Sequence, residues 1–206
     1  EMNPADGSNS VNFKFDVQNY ALGAQTGDAP DRGCANSAKG QHIHFILNNA
    51  PYKAHYQADL NEEVSDGNNV LLAFLSRSYH ESIKGSQAAV VTSFRSGDGT
   101  GGPRIDPSKD MTLFYSRPKG SYKSSDGDKI LLDFYLLNCE LGQLGHKVKA
   151  TINDEDFILN AWKAYFVEGL DIGTHKIRLQ LLDENDELIP GPFNDSGNRE
   201  FTITAD

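Results

Sequence analysis

Histidines are the residues in this chain whose spacing points most directly to chemistry. His42 and His44 lie two residues apart in the stretch QHIHF. The alternation of polar and apolar residues there predicts a β-strand that carries both imidazoles on one face. His55 and His80 lie in the same half of the 206-residue chain. Imidazole nitrogens at positions i and i+2 bind zinc or copper when a third ligand approaches. The predicted metal ligands are therefore His42, His44, His55 and His80.

The opposite face of this strand carries Ile43, Phe45 and Leu47, which are expected in a hydrophobic core. The histidine face is then expected to be open to solvent or to a groove. Exposed strand histidines are common without a metal, and the chain lacks the H-E-x-x-H, C-x-x-C and EF-hand patterns of established metal sites. A histidine face that holds no ion is the alternative interpretation.

A basic segment interrupts an otherwise acidic chain. Residues 70–123 contain eight basic and four acidic residues, a local charge of +4, and the rest of the chain carries −14, for a net charge of −10. The stretches SRSYHES and FYSRPKG place cations beside hydroxyl groups, a combination that binds carboxylates and phosphates. The predicted ligand-binding residues are Ser76, Arg77, Ser78, Tyr79, His80, Tyr115, Arg117 and Lys119. The alternative is that these are solvated loop charges that balance acidic faces.

Catalytic patterns are weaker than binding patterns in this sequence. Three serines lie near His80, but residues so close along a strand or turn rarely form a triad, and no carboxylate is spaced to orient the imidazole. The chain has no G-x-S-x-G elbow, phosphate-binding loop or dinucleotide fingerprint. We therefore predict no catalytic residue and no enzymatic activity.

The elements that must position these residues form an internal repeat. Four short segments of the first half resemble four of the second, in the same order and at similar spacing. The matched segments are 11–23 with 129–142, 40–49 with 145–154, 65–77 with 171–183, and 88–94 with 199–205. Each alternates apolar and polar residues between Gly, Asn or Asp, which predicts antiparallel strands. In this repeat, Lys147 and Lys149 take the positions of His42 and His44.

Short, evenly spaced strands without a helical apolar face favour an all-β fold. The repeat predicts two tandem immunoglobulin-like antiparallel β-sandwiches. Residues 1–10 are expected to be a flexible leader, 11–95 the first sandwich, 96–109 a glycine-rich linker and 110–206 the second sandwich. Residues 111–118 are predicted to add a strand that leads into the second sandwich.

Composition and charge exclude several classes of protein. The acidic net charge argues against a nucleic-acid partner, and the longest apolar run has six residues, too few to span a membrane. Two cysteines are too few for a disulfide framework. Cys34 and Cys139 are expected to be independent thiols, with Cys139 on a strand, or a single disulfide in an exported protein.

Four longer stretches carry a resemblance to a known family. QHIHFILNNAPYKAHY, LLAFLSRSYHES, LFYSRPKG and LLDENDELIPGPFN together resemble a family of exported, lipid-anchored bacterial proteins described as phosphopeptide-binding, over residues 11–204. The resemblance implies an all-β fold, a place in the bacterial cell envelope with any lipid anchor outside this chain, and a non-enzymatic binding role. It transfers no catalytic residue.

The predicted function is the binding of an anionic small molecule or peptide at the cell envelope. The site is expected near the basic loops of the first sandwich and the junction of the two sandwiches. A transition-metal-binding protein that uses the histidines is one alternative. A structural or adhesive surface protein without a small-molecule site is the other. The first half alone has the His-x-His pair and the SRSYHES loop, which favours a site in that half.

Overall fold

The computed structural model describes residues 2–3, 8–126 and 129–206, and over these ranges the chain forms β-strands and three short 3-10 helices but no α-helix. The strands are β1 (Met2–Asn3), β2 (Ser8–Lys14), β3 (His42–Leu47), β4 (Lys53–His55), β5 (Asp59–Ser65), β6 (Gly67–Ser76), β7 (Ala89–Ser96), β8 (Thr112–Arg117), β9 (Gly120–Lys123), β10 (Ile130–Leu137), β11 (Lys147–Ile152), β12 (Glu155–Leu159), β13 (Tyr165–Val167), β14 (Gly173–Leu182) and β15 (Arg199–Thr204). The predicted all-β class is confirmed.

The first half forms two antiparallel sheets. One has the strand order β1-β2-β5 and the other the order β4-β3-β6-β7. A core that includes Ile43, Phe45, Leu60 and Leu71 lies between them. Ile43 and Phe45 belong to this core because the period-two alternation of a strand turns every second side chain to the same face.

The second half also has two sheets, with the orders β13-β10-β8 and β12-β11-β14-β15-β9. Strand β9 pairs with β15 in the parallel direction, whereas β14 pairs with β15 in the antiparallel direction. Its larger core includes Leu113, Phe134, Val148, Leu179 and Phe201, which are all essentially buried. Each of the four sheets takes its strands from one half of the chain.

The strand pairing of the two halves corresponds. β2 pairs with β5 as β10 pairs with β13, and the order β4-β3-β6-β7 is matched by β12-β11-β14-β15. The register corresponds as well. The first residue of β3 pairs with the last residue of β6, and the first residue of β11 pairs with the last residue of β14. These pairs are His42 with Ser76 and Lys147 with Leu182. His42 and His44 thus occupy the sheet positions that Lys147 and Lys149 occupy in the second half.

A third core joins the two halves. It includes Val70 and Phe74 from the first half, Phe114 and Tyr135 from the second, and Ile105 from the connecting segment. The rings of Phe74 and Tyr135 stack with centroids 5.5 Å apart. The outer face of the β4-β3-β6-β7 sheet is therefore buried against the second half.

Some predicted details of the chain differ from the structure. Residues 111–118 contain β8, as expected, and no strand lies between β7 and β8. Strand β1 covers residues 2–3 and strand β2 begins at Ser8, so residues 2–3 and 8–10 belong to strands and not to a flexible leader. Residues 1 and 4–7 of that predicted leader lie outside the described residues. Cys34 and Cys139 are free thiols, so the disulfide alternative is wrong. Cys139 lies in the loop after β10 and not on a strand.

Candidate metal centre

His42 and His44 lie on the face of β3 that points away from the core of the first half. Both side chains are fully buried, at 0% exposure. Phe74 on β6 and Tyr52 in the loop after β3 contact the imidazole of His44, with ring centroids 4.9 and 3.7 Å away. The expectation of a face open to solvent or to a groove is wrong, because the junction between the halves covers it.

A tight turn brings His80 to the same place. After β6, the His80 N–H donates to the Arg77 carbonyl and the Arg77 N–H donates to the Glu81 carbonyl, both at 2.9 Å. His80 has a φ of 70°, in the left-handed region that costs a residue with a Cβ about 1–2 kcal/mol. The turn is held in place by Ser78 and Thr26, each of which donates its backbone N–H to the other's hydroxyl. Strain that the surroundings maintain in this way is typical of functional positions.

Three imidazole nitrogens converge in this buried space. His42 Nε2 lies 3.0 Å from His44 Nε2 and 3.0 Å from His80 Nδ1. The ligand atoms of the three histidines all lie within 4.8 Å of one another, and no other group of this kind occurs in the described part of the chain. Nitrogens bound to zinc at 2.0–2.1 Å in a tetrahedron lie about 3.3 Å apart. The two 3.0 Å separations lie within a few tenths of an ångström of this value, and an ion among the three nitrogens also requires the ligand atoms of His44 and His80, which lie within 4.8 Å, to be at this distance.

Hydrogen bonds outside the cluster determine where one lone pair points. His42 Nδ1 lies 2.8 Å from the carbonyl oxygen of Gly40, which can only accept, so Nδ1 carries the proton and Nε2 carries the lone pair. This lone pair faces both His44 and His80, yet it can accept one hydrogen bond of good geometry. One of the two 3.0 Å contacts is therefore left without a good hydrogen bond. A cation at the centre would accept electron density from all three nitrogens.

The surroundings keep these imidazoles neutral. Burial lowers the pKa of His44 well below its usual value, and the neighbouring imidazoles, Arg117 and Lys119 lower it further. Burial, followed by the charge of Arg117, lowers the pKa of His80 to about 2. Burial also lowers the pKa of His42. Neutral imidazole is the form that binds a metal, so protons do not compete for these nitrogens at neutral pH.

The second ring nitrogens have partners of the kind that metal-bound histidines usually have. Nδ1 of His42 donates to the Gly40 carbonyl, and Nδ1 of His44 lies 3.2 Å from Ser116 Oγ. Gly40 is required at its position, because its φ is +83° and a Cβ there would lie 2.4 Å from the carbonyl oxygen of Gly23. Ser116 belongs to β8, so the second half of the molecule contributes directly to the cluster.

Tyr52, which the sequence analysis did not single out, forms one wall of the cluster. Its ring stacks on that of His44 at an interplanar angle of 8°, and its Oη lies 3.3 Å from His80 Nδ1. Arg117 donates from Nη2 to the Tyr52 hydroxyl, and Lys119 donates from Nζ to the Tyr52 carbonyl, both at 2.5 Å. The stretch NAPYKAHY contains the signal, an aromatic residue in a loop rich in turn formers, but no spacing rule connects it to the histidines.

His55, the fourth predicted ligand, lies elsewhere. It is on β4 directly opposite Ile43. It therefore shares the face of Ile43 and not the face of His42 and His44. Its Nε2 lies 2.9 Å from the buried carboxylate of Glu62. The structure thus brings together three of the four predicted ligands.

The eight residues predicted to bind an anion lie in different environments. Ser76, Ser78, Tyr79 and Tyr115 are buried, and their hydroxyls are bonded to the Arg77 carbonyl, the Thr26 N–H, the Asp28 carboxylate and the Pro118 carbonyl, respectively. Arg77 is half-buried on the turn. His80, Arg117 and Lys119 lie together around Tyr52. The structure therefore brings three of the eight predicted residues together. Four others have their hydroxyls occupied by hydrogen bonds within the protein.

A cavity of about 310 Å³ lies beside these cations, lined in part by Ser116, Lys119 and Arg199. Neither of its two cations has a carboxylate within 4.0 Å among the described residues. Nε of Arg199 is buried without a hydrogen-bond partner. Burial, the charge of Arg117 and that of Lys53 lower the pKa of Lys119. Glu200 also contributes to the lining, so the cavity is not purely cationic.

Comparisons with family models and with curated proteins found no significant match to the chain. Over the described residues, no helix has the length and apolar character needed to cross a membrane. The chemistry of the clustered side chains therefore carries the functional conclusion.

Proposed function

We propose that the protein is a non-enzymatic transition-metal-binding protein whose ligands are His42, His44 and His80, and that it takes copper(II) or zinc(II). The observation that carries the proposal is the convergence of three neutral imidazole nitrogens in a buried space, with two separations of 3.0 Å. Imidazole suits both ions, and copper(II) binds most tightly among the divalent first-row ions at a given nitrogen site.

Further features support an ion over a histidine cluster held by hydrogen bonds alone. The lone pair on Nε2 of His42 faces two nitrogens and can accept a hydrogen bond of good geometry from only one of them. The second ring nitrogens of His42 and His44 already have oxygen partners, which orient the rings. His80 is held at a strained φ of 70°. Backbone strain of this kind is found at functional positions, and here it directs the imidazole towards the proposed ion.

Titration of the metal-free protein with copper(II) or zinc(II) tests the proposal. We expect calorimetry to give one ion per chain. An ion that binds only the folded state stabilises it by about 2.7 kcal/mol at a free concentration of 100 times Kd. For a protein of this size, that corresponds to a rise in Tm of roughly 5–11 °C.

His80→Asn is the sharpest variant, because asparagine tolerates a positive φ and preserves the turn. We expect it to lower the affinity for copper(II) by at least about 100-fold, beyond the effect of losing a partner in the outer shell. His55→Asn is the matched control, since His55 lies on the other face of the sheet, and it is expected to keep wild-type affinity. Equal stoichiometry and affinity in all three proteins would refute the proposal.

The cavity beside Lys119 and Arg199 favours a second binding function, for a small anion. Two cations without a carboxylate partner and a buried, unpartnered guanidinium nitrogen at Arg199 support it. Arginine and lysine in this setting bind phosphate or carboxylate groups. Titration with inorganic phosphate and with a phosphoserine peptide is expected to show binding that Lys119→Met and Arg199→Met each weaken.

The exposed Lys123 provides the control for this second function, and Lys123→Met is expected to leave anion binding unchanged. Binding that is absent, or equal in all variants, would refute the anion site. If neither ion nor anion binds, a structural or adhesive role for the two halves is favoured.

We also infer that each half is an immunoglobulin-like sandwich and that the two are related by duplication. In the first half, β2 and β5 lie in one sheet and β3, β4, β6 and β7 form the other. In the second half, β10 and β13 lie in one sheet and β11, β12, β14 and β15 lie in the other. This is the division that such sandwiches make between their B–E and C′–C–F–G strands. A location in the bacterial envelope is part of the same proposal and is supported by the resemblance of the four quoted stretches. Fractionation of cells that express the protein tests it.

A further inference from the structure

The hydroxyl of Tyr52 lies at the edge of the cluster of three imidazoles, beside one of its ligand atoms. Its Oη is 3.3 Å from His80 Nδ1, and its ring stacks on His44 at 3.7 Å. In a tetrahedral site with bonds of 2.0–2.1 Å, neighbouring ligand atoms lie about 3.3 Å apart. The Oη–Nδ1 distance is therefore that expected for two ligands of one ion. Tyr52 is only 5% exposed, so little solvent reaches this position.

The charge of Arg117 provides a separate argument. Its side chain is 6% exposed, and a guanidinium stays protonated in proteins. None of the ion pairs among the described residues includes it. Its Nη2 and Nη1 donate to the hydroxyls of Tyr52 and Tyr122 at 2.5 and 3.0 Å, and its Nε is buried without a partner. A buried charge is normally paired with an opposite charge, whereas the partners of this cation are two phenol oxygens.

Of the two phenols, Tyr52 is the one that joins the guanidinium to the histidines. The hydroxyl of Tyr122 accepts from Arg117 and from the backbone N–H of Lys119, at 3.0 Å each. The hydroxyl of Tyr52 accepts from Arg117 and contacts His80. An anion formed at Tyr52 therefore lies between the buried cation and the proposed metal position.

We infer that Tyr52 Oη is the fourth ligand of the ion, bound as a phenolate, and that Arg117 is a positioning residue that holds this oxygen as its counter-ion. The inference rests on the proposed metal-binding function. On binding, the O–H bond of Tyr52 breaks, the oxygen–metal bond forms, and the proton passes to solvent, one proton for each ion. The phenolate then places one negative charge between the guanidinium of Arg117 and the ion.

The metal-free protein holds the same oxygen as a phenol. Burial raises the pKa of Tyr52, and the nearby Arg117 opposes this rise. Because Arg117 can only donate, the hydroxyl accepts from it, and the same oxygen lies 3.3 Å from Nδ1 of His80. The oxygen is thus already oriented at the cluster before the ion arrives, and binding replaces a proton by a metal.

Copper(II) spectroscopy tests the inference, because a phenolate bound to copper(II) gives an intense visible charge-transfer band that imidazole ligands alone do not give. The wild-type protein with one equivalent of copper(II) is expected to show this band. Tyr52→Phe keeps the ring and removes the oxygen. The Tyr52→Phe protein is expected to lose the band, to release one proton fewer per ion in weak buffer, and to bind copper(II) about 10- to 100-fold more weakly.

Tyr56→Phe is the control. The Tyr56 ring lies 5.1 Å from that of His42, but its hydroxyl bonds to Ser37, so this variant is expected to keep the band.

The role of Arg117 has its own measurement. Arg117→Met is expected to raise the pH at which the charge-transfer band forms, because the phenolate loses its counter-ion, and Arg117→Lys is expected to restore part of the wild-type profile. An unchanged pH profile in Arg117→Met would remove Arg117 from the inference.

The outcomes separate this inference from the function on which it rests. If wild-type protein binds one copper(II) that His80→Asn abolishes, but the band is absent or survives in Tyr52→Phe, the fourth ligand is wrong and metal binding stands. If wild-type protein binds no ion, both proposals fail. Should circular dichroism show that Tyr52→Phe is unfolded, the resonance Raman spectrum of the wild-type copper complex decides, and the absence of bound-phenolate bands overturns the inference.

Discussion

Removing the charge of Lys84 tests how the two halves are held together. Nζ of Lys84, in the first half, lies 2.6 Å from Oδ1 of Asp133, on β10 in the second. The Asp133 side chain is fully buried, at 0% exposure, and that of Lys84 is 23% exposed. Asp133 also accepts hydrogen bonds from the backbone N–H and the hydroxyl of Ser82, at 3.2 and 3.0 Å. Lys84→Met removes the cation and keeps an apolar chain beside the rings of Phe134 and Trp162.

The expected loss of stability follows from the buried carboxylate. Removing one partner of a buried ion pair leaves an uncompensated charge and costs about 3–5 kcal/mol. Asp133 keeps its two hydrogen bonds from Ser82, and Lys84 is partly exposed, so we expect the lower end, about 3 kcal/mol. Each kcal/mol lowers Tm by about 2–4 °C in a protein of 150–250 residues. Lys84→Met should therefore lower Tm by roughly 6–12 °C.

The assay is thermal unfolding at neutral pH, followed by circular dichroism and calorimetry. Lys109→Met is the control, because Lys109 pairs with Asp106 at 3.3 Å in an exposed pair, with 78% and 45% of the two side chains accessible. Exposed pairs contribute about 0–1 kcal/mol, so this control should lower Tm by at most about 4 °C. If Lys84→Met changes Tm no more than Lys109→Met does, the buried carboxylate does not depend on its cation and the reasoning is refuted.

Other predictions concern the backbone and the thiols. Asn194→Ala should lower the free energy of unfolding by about 1–3 kcal/mol, because the buried Oδ1 of Asn194 accepts a backbone N–H of β8; an unchanged midpoint in urea would contradict this. Gly40→Ala should lower both Tm and copper(II) affinity, because its Cβ would meet the Gly23 carbonyl at 2.4 Å, whereas Gly145→Ala, which meets nothing within 4 Å, should change neither. Burial raises the pKa of Cys139 to about 11, so a thiol reagent at pH 8 should react slowly with the folded protein and count two thiols after unfolding without reductant; a count of zero would reveal a disulfide.

The strands were predictable because their signal is local. The stretches 40–49 and 145–154 alternate with period two between turn-forming residues, and β3 and β11 form there. At the matched segments the two halves also correspond in strand order and register. Alternation does not reveal what covers the outer face of a sheet, because that depends on packing between distant segments. The histidines of β3 were for this reason expected at an open face and are buried.

The site was predictable only in part, for the same reason. His80 was singled out, yet its approach to His42 depends on the register that pairs His42 with Ser76 and on the turn that follows. Tyr52 and Ser116 have no residue pattern typical of a metal site. They reach the cluster because a loop folds over β3 and because β8 of the second half lies against it. The spacing of residues in the sequence predicts neither of these two contacts.

Equivalent strand positions have different surroundings in the two halves, and this explains their different residues. Lys147 and Lys149 stay partly exposed on β11, and Lys147 pairs with Asp186 at 2.8 Å. His42 and His44 lie at the same positions on β3, on the face that the junction buries. A buried lysine must lose its charge or find a partner, whereas histidine becomes neutral near physiological pH. Imidazoles are therefore compatible with the covered face, and lysines with the uncovered one.

Because Ser116 and Arg117 come from β8, the cluster is complete only while the two halves are docked. A variant that destabilises the junction without changing the histidines should then lower the affinity for the ion as well as the stability of the fold. Lys84→Met is such a variant, and we expect it to lower copper(II) affinity at a temperature where circular dichroism still reports the strands, while Lys109→Met leaves the affinity unchanged. If Lys84→Met loses stability but binds copper(II) as tightly as wild type, the first half alone holds the ion, and the contributions of Ser116 and Arg117 are not needed for binding.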